Sequence, residues 1–246
     1  MISIIIPTLN EEEGIAKVLC SIPEKIKKQS EIIVVDASTD CTPIIAKRLG
    51  ARVIKLKEKG KGRQMREGVR NSQGETLIFL DGDGEEPPEY IPKLLKKLEE
   101  ADLVLGCRNL ENFKEDDRTT REIYYFYNLY MKPLFRLIGL KISGDPLSGF
   151  RAIRRKDWDR LDLRSNEFEI ETEMNIRAME EGFTIQEVSI PHLKRAGGRG
   201  GSKLMANPRM WFRIFRTILR YFHKSQLKPK VKDIERRLKK RLKFRR

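Results

Sequence analysis

The residues best suited to do chemistry are two aspartates in the stretch 79-FLDGDGEEPPEY-90. Asp81 and Asp83 follow the apolar run TLIFL, with Gly82 between them and Gly84 after. In extended chain, residues i and i+2 point the same way, so both carboxylates can face one ion. Mg2+ and Mn2+ take carboxylate oxygens and keep places for water and substrate phosphates. The two glycines allow backbone and ligand to approach closely, and Glu85 can supply another oxygen. A plainer reading of the same residues is an Asx turn leading into a helix begun by Pro87-Pro88. The stretch alone does not choose between them.

The surrounding elements bear on that choice. Five short apolar runs, 2-ISIII-6, 32-IIVV-35, 52-RVIKL-56, 76-TLIFL-80 and 102-DLVLG-106, read as strands buried on both faces. Between them lie segments of helical spacing, 11–22, 40–50, 62–74 and 88–100. Asp40 reads as an N-cap, and Gly50 and Gly74 as C-caps. Alternating strands and helices predict an α/β fold with right-handed crossovers and a mostly parallel sheet. In such sheets ligands bind beyond the carboxyl ends of the strands. Those ends carry Pro7 to Glu11, Asp36 to Asp40, Asp81 to Asp83, and Gly106 to Arg108. Three of the four are acidic. Further on, a strand is expected within 144–155, a helix over 166–183 and a strand over 184–191. Aromatic residues fill the helical segment 122–140, among them Tyr124, Tyr125, Phe126, Tyr127 and Tyr130.

Composition narrows the function classes. The net charge is +15, but residues 199–246 hold 18 Lys and Arg against two acidic residues, whereas 1–198 hold 33 against 34. The excess at one end suggests docking to an anionic surface. Cys20, Cys41 and Cys107 have no metal-ligand spacing, which argues for a reducing compartment and against a zinc site. The N-terminal residues turn acidic at once, unlike a signal peptide, and no apolar run approaches the ~18 residues of a spanning helix. A glycine-rich phosphate loop is absent, as is GxGxxG after the first strand. What remains is an α/β nucleotide site whose phosphates are met by a metal. A purely nucleic-acid-binding role for the basic tail is the alternative from another class. The acidic strand ends oppose it, because they repel a polyanion, and no nucleic-acid partner is expected.

IIIPTLNEE, VVDASTD, FLDGDGEEPPE, LGCRN, GDPLSGFRAI and RAGGRGGSKL occur in that order and at family spacing. Over residues 1–205 the chain resembles the family 2 inverting glycosyltransferases of the GT-A fold. It is most similar to the dolichol-phosphate mannose synthase and polyprenyl-phosphate hexosyltransferase group. The resemblance implies that Pro7, Asn10, Glu11 and Asp36 line the base and ribose of a UDP- or GDP-sugar. It implies that Asp81 and Asp83 hold Mg2+ or Mn2+ on the diphosphate, with Glu85 where relatives carry a metal-binding Gln. Arg108, with Arg118 or Arg121, would meet the acceptor phosphate and the donor diphosphate, and Arg195 or Arg199, with Lys203, would close over the diphosphate. Ala37 departs from the commonly acidic second residue of the family's VDD motif, and 195-RAGGRGGSK-203 is longer than the usual RxxGxSK.

Transfer to a hydroxyl needs a general base, and Asp145, Glu171 and Glu173 are the carboxylates available. Transfer to a phosphate needs only cations that bring two anions together. The resemblance and the arginines favour a polyprenyl (dolichyl) phosphate acceptor. A GT-A domain is expected over 1–205, with a basic amphipathic tail over 206–246. In the tail, Met210, Trp211, Ile214, Phe215, Ile218, Leu219 and Phe222 are expected to form one apolar face of a helix over 207–225 that lies on a membrane surface. The location expected is the cytoplasmic face of the cell membrane, bound peripherally.

Overall fold

The computed structural model describes residues 1–108, 129, 132–137, 139, 142, 144–191, 193–196 and 209–221. Its strands are β1 (Ile2–Thr8), β2 (Ser30–Asp36), β3 (Arg52–Lys55), β4 (Thr76–Phe79), β5 (Leu103–Arg108), β6 (Arg151–Arg154) and β7 (Ile185–Ile190). The helices used below are α1 (Ile15–Ser21), α2 (Glu24–Lys27), α3 (Thr42–Arg48), α4 (Lys61–Arg70), α5 (Ile91–Leu98), α6 (Lys132–Leu137), α7 (Arg155–Leu161) and α8 (Glu169–Glu180), followed by α9 over 209–221.

The seven strands form one sheet in the order β3-β2-β1-β4-β6-β5-β7. β6 runs antiparallel to both neighbours, β4 and β5, and the other pairings are parallel. The unbroken apolar runs have their physical reason in this arrangement. Ile4, Ile5 and Ile6 are all inaccessible, and successive side chains feed opposite faces. Ile5, Ile33 and Leu77 join one core cluster, and Ile4, Ile6 and Ile78 the other. From β1 the chain moves outward to β2 and β3, then returns through α4 to β4 on the other side of β1. That reversal opens a crevice at the carboxyl ends of β1 and β4, where open α/β sheets bind ligands.

Among the described residues the expected strands and the helices of the first hundred residues are present, with local corrections. α4 ends at Arg70, where Asn71 donates to the Glu67 carbonyl through its backbone and its side-chain amide. Gly74 is therefore no helix cap. A Cβ there would fall 2.4 Å from Ser3 Oγ, so the residue is small because two backbones pass closely. Gly50, at φ 86°, does end α3 in the left-handed conformation. Cys41 holds the cap position of that helix, and Asp40 reaches past it to accept from the Thr42 N–H at 3.0 Å.

α9 also differs from expectation. Ile214 and Ile218 are inaccessible and belong to the main core cluster, with Trp211 and Tyr221 packed beside them. Phe212, Phe215 and Leu219 instead face outward, at 67%, 45% and 46% exposure. The residues expected on one face are thus divided between two stripes. The sequence period did not separate them because both lie within the wide apolar arc of the helix. Phe222 lies outside the described residues, as does most of the aromatic segment 122–140.

Candidate active site

Thr8 and Asp36, the last residues of β1 and β2, are directly paired in register. Asp36 is fully buried. It accepts from the Thr8 hydroxyl at 2.9 Å, the Ser38 N–H at 3.2 Å and Lys55 Nζ at 2.8 Å. Asn10, at φ 54°, takes the left-handed conformation that Asn tolerates. Its side-chain oxygen accepts from the Thr39 N–H at 2.9 Å, while its own N–H donates to Ser38 Oγ at 2.7 Å. The Asn10 and Ser38 turns are thereby locked together, and Pro7 is a buried residue of β1.

Acidic residues crowd the other side of the crevice. Lys61, the first residue of α4, reaches Asp81 at 2.7 Å and Glu171 at 2.6 Å. Arg108 grips Asp145 through Nε at 3.0 Å and a second, shorter contact, and meets Glu85 at 3.1 Å. Arg195 donates to both oxygens of Glu11, at 2.8 and 2.9 Å, and lies 3.4 Å from Asp83. Its segment is also tied by backbone: Ala196 N–H donates to the Asp83 carbonyl and Leu193 N–H to that of Glu85, each at 3.1 Å. Two glycines permit the crowding. A Cβ on Gly149 would lie 2.6 Å from Asp81 Oδ1, and one on Gly14 would lie 2.6 Å from the Gly82 carbonyl.

The sequence pattern did not single out Glu86, which completes the frame. It is buried, accepts from the Asp81 N–H at 3.2 Å, and accepts from Ser148 Oγ and the Phe150 N–H at 3.0 and 2.9 Å. It therefore links the turn after β4 to the entry of β6. Burial, then Asp81, pushes its pKa up to about 8. Burial, then Asp83, pushes Glu85 up to about 7. Burial alone would strip the charge from Lys61, but Asp81 and Glu171 outweigh it and hold the ammonium pKa above the ordinary lysine value. Arg108 is likewise held above the ordinary arginine value by Asp145 and Glu85 against burial.

The structure thus gathers Glu11, Asp81, Asp83, Glu85, Arg108, Asp145 and Arg195 at one edge, and places Asp36, Pro7 and Asn10 beside them. Arg118, Arg121, Arg199 and Lys203 lie outside the described residues. Glu173 accepts instead from the Arg164 and Ser165 N–H groups. It lines a separate cleft of about 460 Å3 between α8 and α9, with Arg177, Arg213 and Arg216. Lys61 was missed along with Glu86. The available signals were the Gly-Lys-Gly triplet at 60–62 and the second glutamate of DGEE.

A divalent cation fits the chemistry of this donor set. Among the described residues, no three His, Cys, Asp or Glu side chains already form an ion cage. Asp81 and Asp83 offer oxygens to a hard cation, and such cations commonly complete their coordination with water and substrate phosphate. Glu85 stands beside them with its carboxylate engaged by Arg108.

A mixed, mostly parallel sheet with a DxD turn at the β1/β4 crevice defines a fold of the GT-A-like class. The family model described as "Glycosyl transferase family 2" matches residues 3–161, and the chain belongs to that family. It is a glycosyltransferase of that family. The chain is 30% identical over 197 residues to a dolichyl-phosphate hexose transferase of Haloferax volcanii, covering 80% of this chain and 84% of that protein. It is 28% identical over 211 residues to a dolichol-phosphate mannosyltransferase of Pyrococcus furiosus, covering 82% of this chain but 59% of that one. Among solved structures, glucosyl-3-phosphoglycerate synthase from Mycobacterium tuberculosis, in complex with Mn2+ and UDP-glucose, superposes with a TM-score of 0.71. Identity is 25%, covering 90% of this chain and 78% of that one.

Proposed function

We propose that this enzyme transfers a hexose, with inversion, from a UDP- or GDP-sugar to a polyprenyl phosphate such as dolichyl phosphate. Asp36 and the locked Asn10–Ser38 turn hold the nucleoside. Asp81 and Asp83 hold Mg2+ or Mn2+, which when bound offsets the charge of the diphosphate leaving group. Arg108 and Arg195 bring acceptor phosphate and donor diphosphate together. Arg121 or Arg118, and Arg199 and Lys203, are assigned to the same anions by family resemblance.

One observation carries the choice of acceptor. Asp145 is gripped by Arg108, and Glu171 is covered by Lys61. The carboxylates best placed to act as a general base for a hydroxyl are therefore engaged. A phosphate acceptor is already an anion at neutral pH and needs no base. The second reading, a hydroxyl acceptor on a glycan or small molecule, requires Asp145 or Glu85 to leave Arg108 and act as general base.

A lipid acceptor places the work at a membrane surface, and we assign the enzyme to the cytoplasmic face, bound peripherally. Among the described residues no helix is long and apolar enough to cross a membrane. The outward Phe212, Phe215 and Leu219, with exposed Arg216 and Arg220 on the same helix, suit an interfacial contact. This contact belongs to the tail we separate at 206–246, although α9 packs on the catalytic core.

The test is a panel of labelled UDP- and GDP-hexoses incubated with dolichyl phosphate or with hydroxyl acceptors, with Mn2+ or with EDTA. Metal-dependent label in the lipid phase is the expected result. Label only in a hydroxyl product would overturn the acceptor assignment, and full activity in EDTA the metal assignment.

A further inference from the structure

Lys61 lies outside the motifs that carry the family resemblance, yet the chain goes to some length to place it against one of them. The residue is 9% exposed. Its ammonium lies 2.7 Å from Asp81 Oδ1, 2.9 Å from Oδ2 and 2.6 Å from Glu171 Oε1. The ammonium donates a hydrogen bond to Asp81 Oδ2, while Asp81 Oδ1 and Glu171 Oε1 stand at ion-pairing distance, the buried Glu171 Oε1 without a hydrogen-bond partner of its own. The Phe168 ring lies 5.4 Å from Nζ.

The flanking glycines fix that position. A Cβ on Gly60 would fall 2.4 Å from the Asn166 carbonyl, and one on Gly62 would fall 2.2 Å from that of Ser165. Gly60 also sits at φ 137°, a conformation that side chains disfavour. Arg63 N–H then donates to the Asn166 carbonyl at 3.1 Å. The start of α4 is thus clamped against the segment before α8, and Lys61 is aimed between Asp81 and Glu171.

Without that ammonium, Asp81 and the buried Glu171 would present facing oxygens, which is the environment a hard divalent cation seeks. Asp81 keeps 28% of its side chain accessible while Glu171 keeps 2%, so the open side of Asp81 is the one away from Glu171.

We propose that Lys61 is a built-in counter-ion that fills the inner position between Asp81 and Glu171, so that the enzyme takes its divalent cation only on the Asp83 side of Asp81. Lys61 is then a positioning residue that sets the number and place of metal ions. The inference rests on the metal reading given under Proposed function. A fixed single charge orients Asp81 without competing for the diphosphate, whereas a second divalent ion on Glu171 would draw the Asp81 carboxylate inward.

The test is Mn2+ binding to the full chain, followed by the electron paramagnetic resonance signal of free Mn2+, with and without UDP or GDP. Wild type is expected to bind one Mn2+. Lys61→Met is expected to bind a second Mn2+, or to bind the first at least about tenfold more tightly without nucleotide, while sugar transfer falls. Lys61→Met combined with Glu171→Gln is expected to return to one ion at near wild-type affinity, which a merely structural role for Lys61 would not produce. Unchanged or weaker Mn2+ binding in folded Lys61→Met would overturn the proposal. If that variant does not fold, Lys61→Gln, whose amide can donate to either carboxylate, carries the same test with the same two outcomes. Absence of Mn2+ binding by wild type, even with nucleotide, would instead defeat the underlying metal reading.

Discussion

The two halves of the crevice handle buried carboxylates in opposite ways. At the ends of β1 and β2 the one fully buried carboxylate, Asp36, is met by two hydroxyls, a backbone N–H and one lysine. At the ends of β4 and β5, Asp81, Asp83, Glu85, Glu86 and Asp145 share Lys61, Arg108 and Arg195. Burial first, and the neighbouring aspartates second, push Glu85 and Glu86 above an ordinary glutamate. The first half is a preorganised acceptor that needs nothing more to be stable. The second concentrates negative charge beyond what its own cations relieve, and burying like charges together is costly unless a cation is supplied. On the proposed function, the first half takes the neutral base and ribose and the second the metal diphosphate.

Substitutions can break that contrast. The largest effect is expected from Asp81→Ala or Asp83→Ala. Turnover should fall about a thousandfold or more, because the metal stabilises developing charge by several kcal/mol. The melting temperature should hold or rise, since one of several crowded carboxylates is gone. A marked loss of stability with turnover intact would make the crowding structural rather than functional.

Arg108→Met comes next. It strands Asp145, which is 4% exposed, and leaving one partner of a buried pair costs about 3–5 kcal/mol. Urea denaturation should show that loss together with a fall in activity. Asp36→Asn is expected to act differently, raising the KM for the sugar nucleotide by about ten- to a hundredfold with a smaller change in kcat, as loss of one charged hydrogen-bond acceptor implies. An equal fall in kcat would erase the distinction between the halves.

The smallest effect is a pH trend confined to the crowded half. Glu85 and Glu86, at about 7 and about 8, lie above the ordinary value of 4.5. The folded chain therefore keeps these protons to higher pH than the unfolded chain. Their contribution to stability is complete below about pH 4.5 and is lost as pH rises through 7 to 8. Calorimetry of metal-free enzyme should show the melting temperature falling by several degrees between pH 5 and 8, and Mn2+ should restore part of it at pH 8. A flat profile would indicate that the crowding is relieved in solution.

Much of this was legible in the chain. The five apolar runs became strands because a sheet covered on both faces demands continuous burial, and Asp36, Asp81, Asp83 and Arg108 followed from their places at strand ends. What escaped did so for physical reasons. Lys61 opens a helix 20 residues before Asp81, and sequence gives no distance between them. Glu86 looks like any exposed glutamate before a proline until Ser148 and Phe150 enclose it. The apolar residues of α9 satisfy one helical stripe as readily as two, and only a neighbouring core separates Ile214 from Phe215.

The sequence by itself determined the alternation of buried strands and helices, the acidic strand ends and the concentration of basic charge in the tail. These are local properties of period, burial tendency and composition. Tertiary structure alone decided which carboxylates share a cation, which of them lose their ordinary acidity, and which side of α9 remains in solvent. Those outcomes depend on distances between residues far apart in the chain, and electrostatic interaction and burial are set by distance in space. The short stretch holding Asp81 and Asp83 supplied the carboxylates proposed as metal ligands, and residues 61, 108, 145, 171 and 195 decide how they are held.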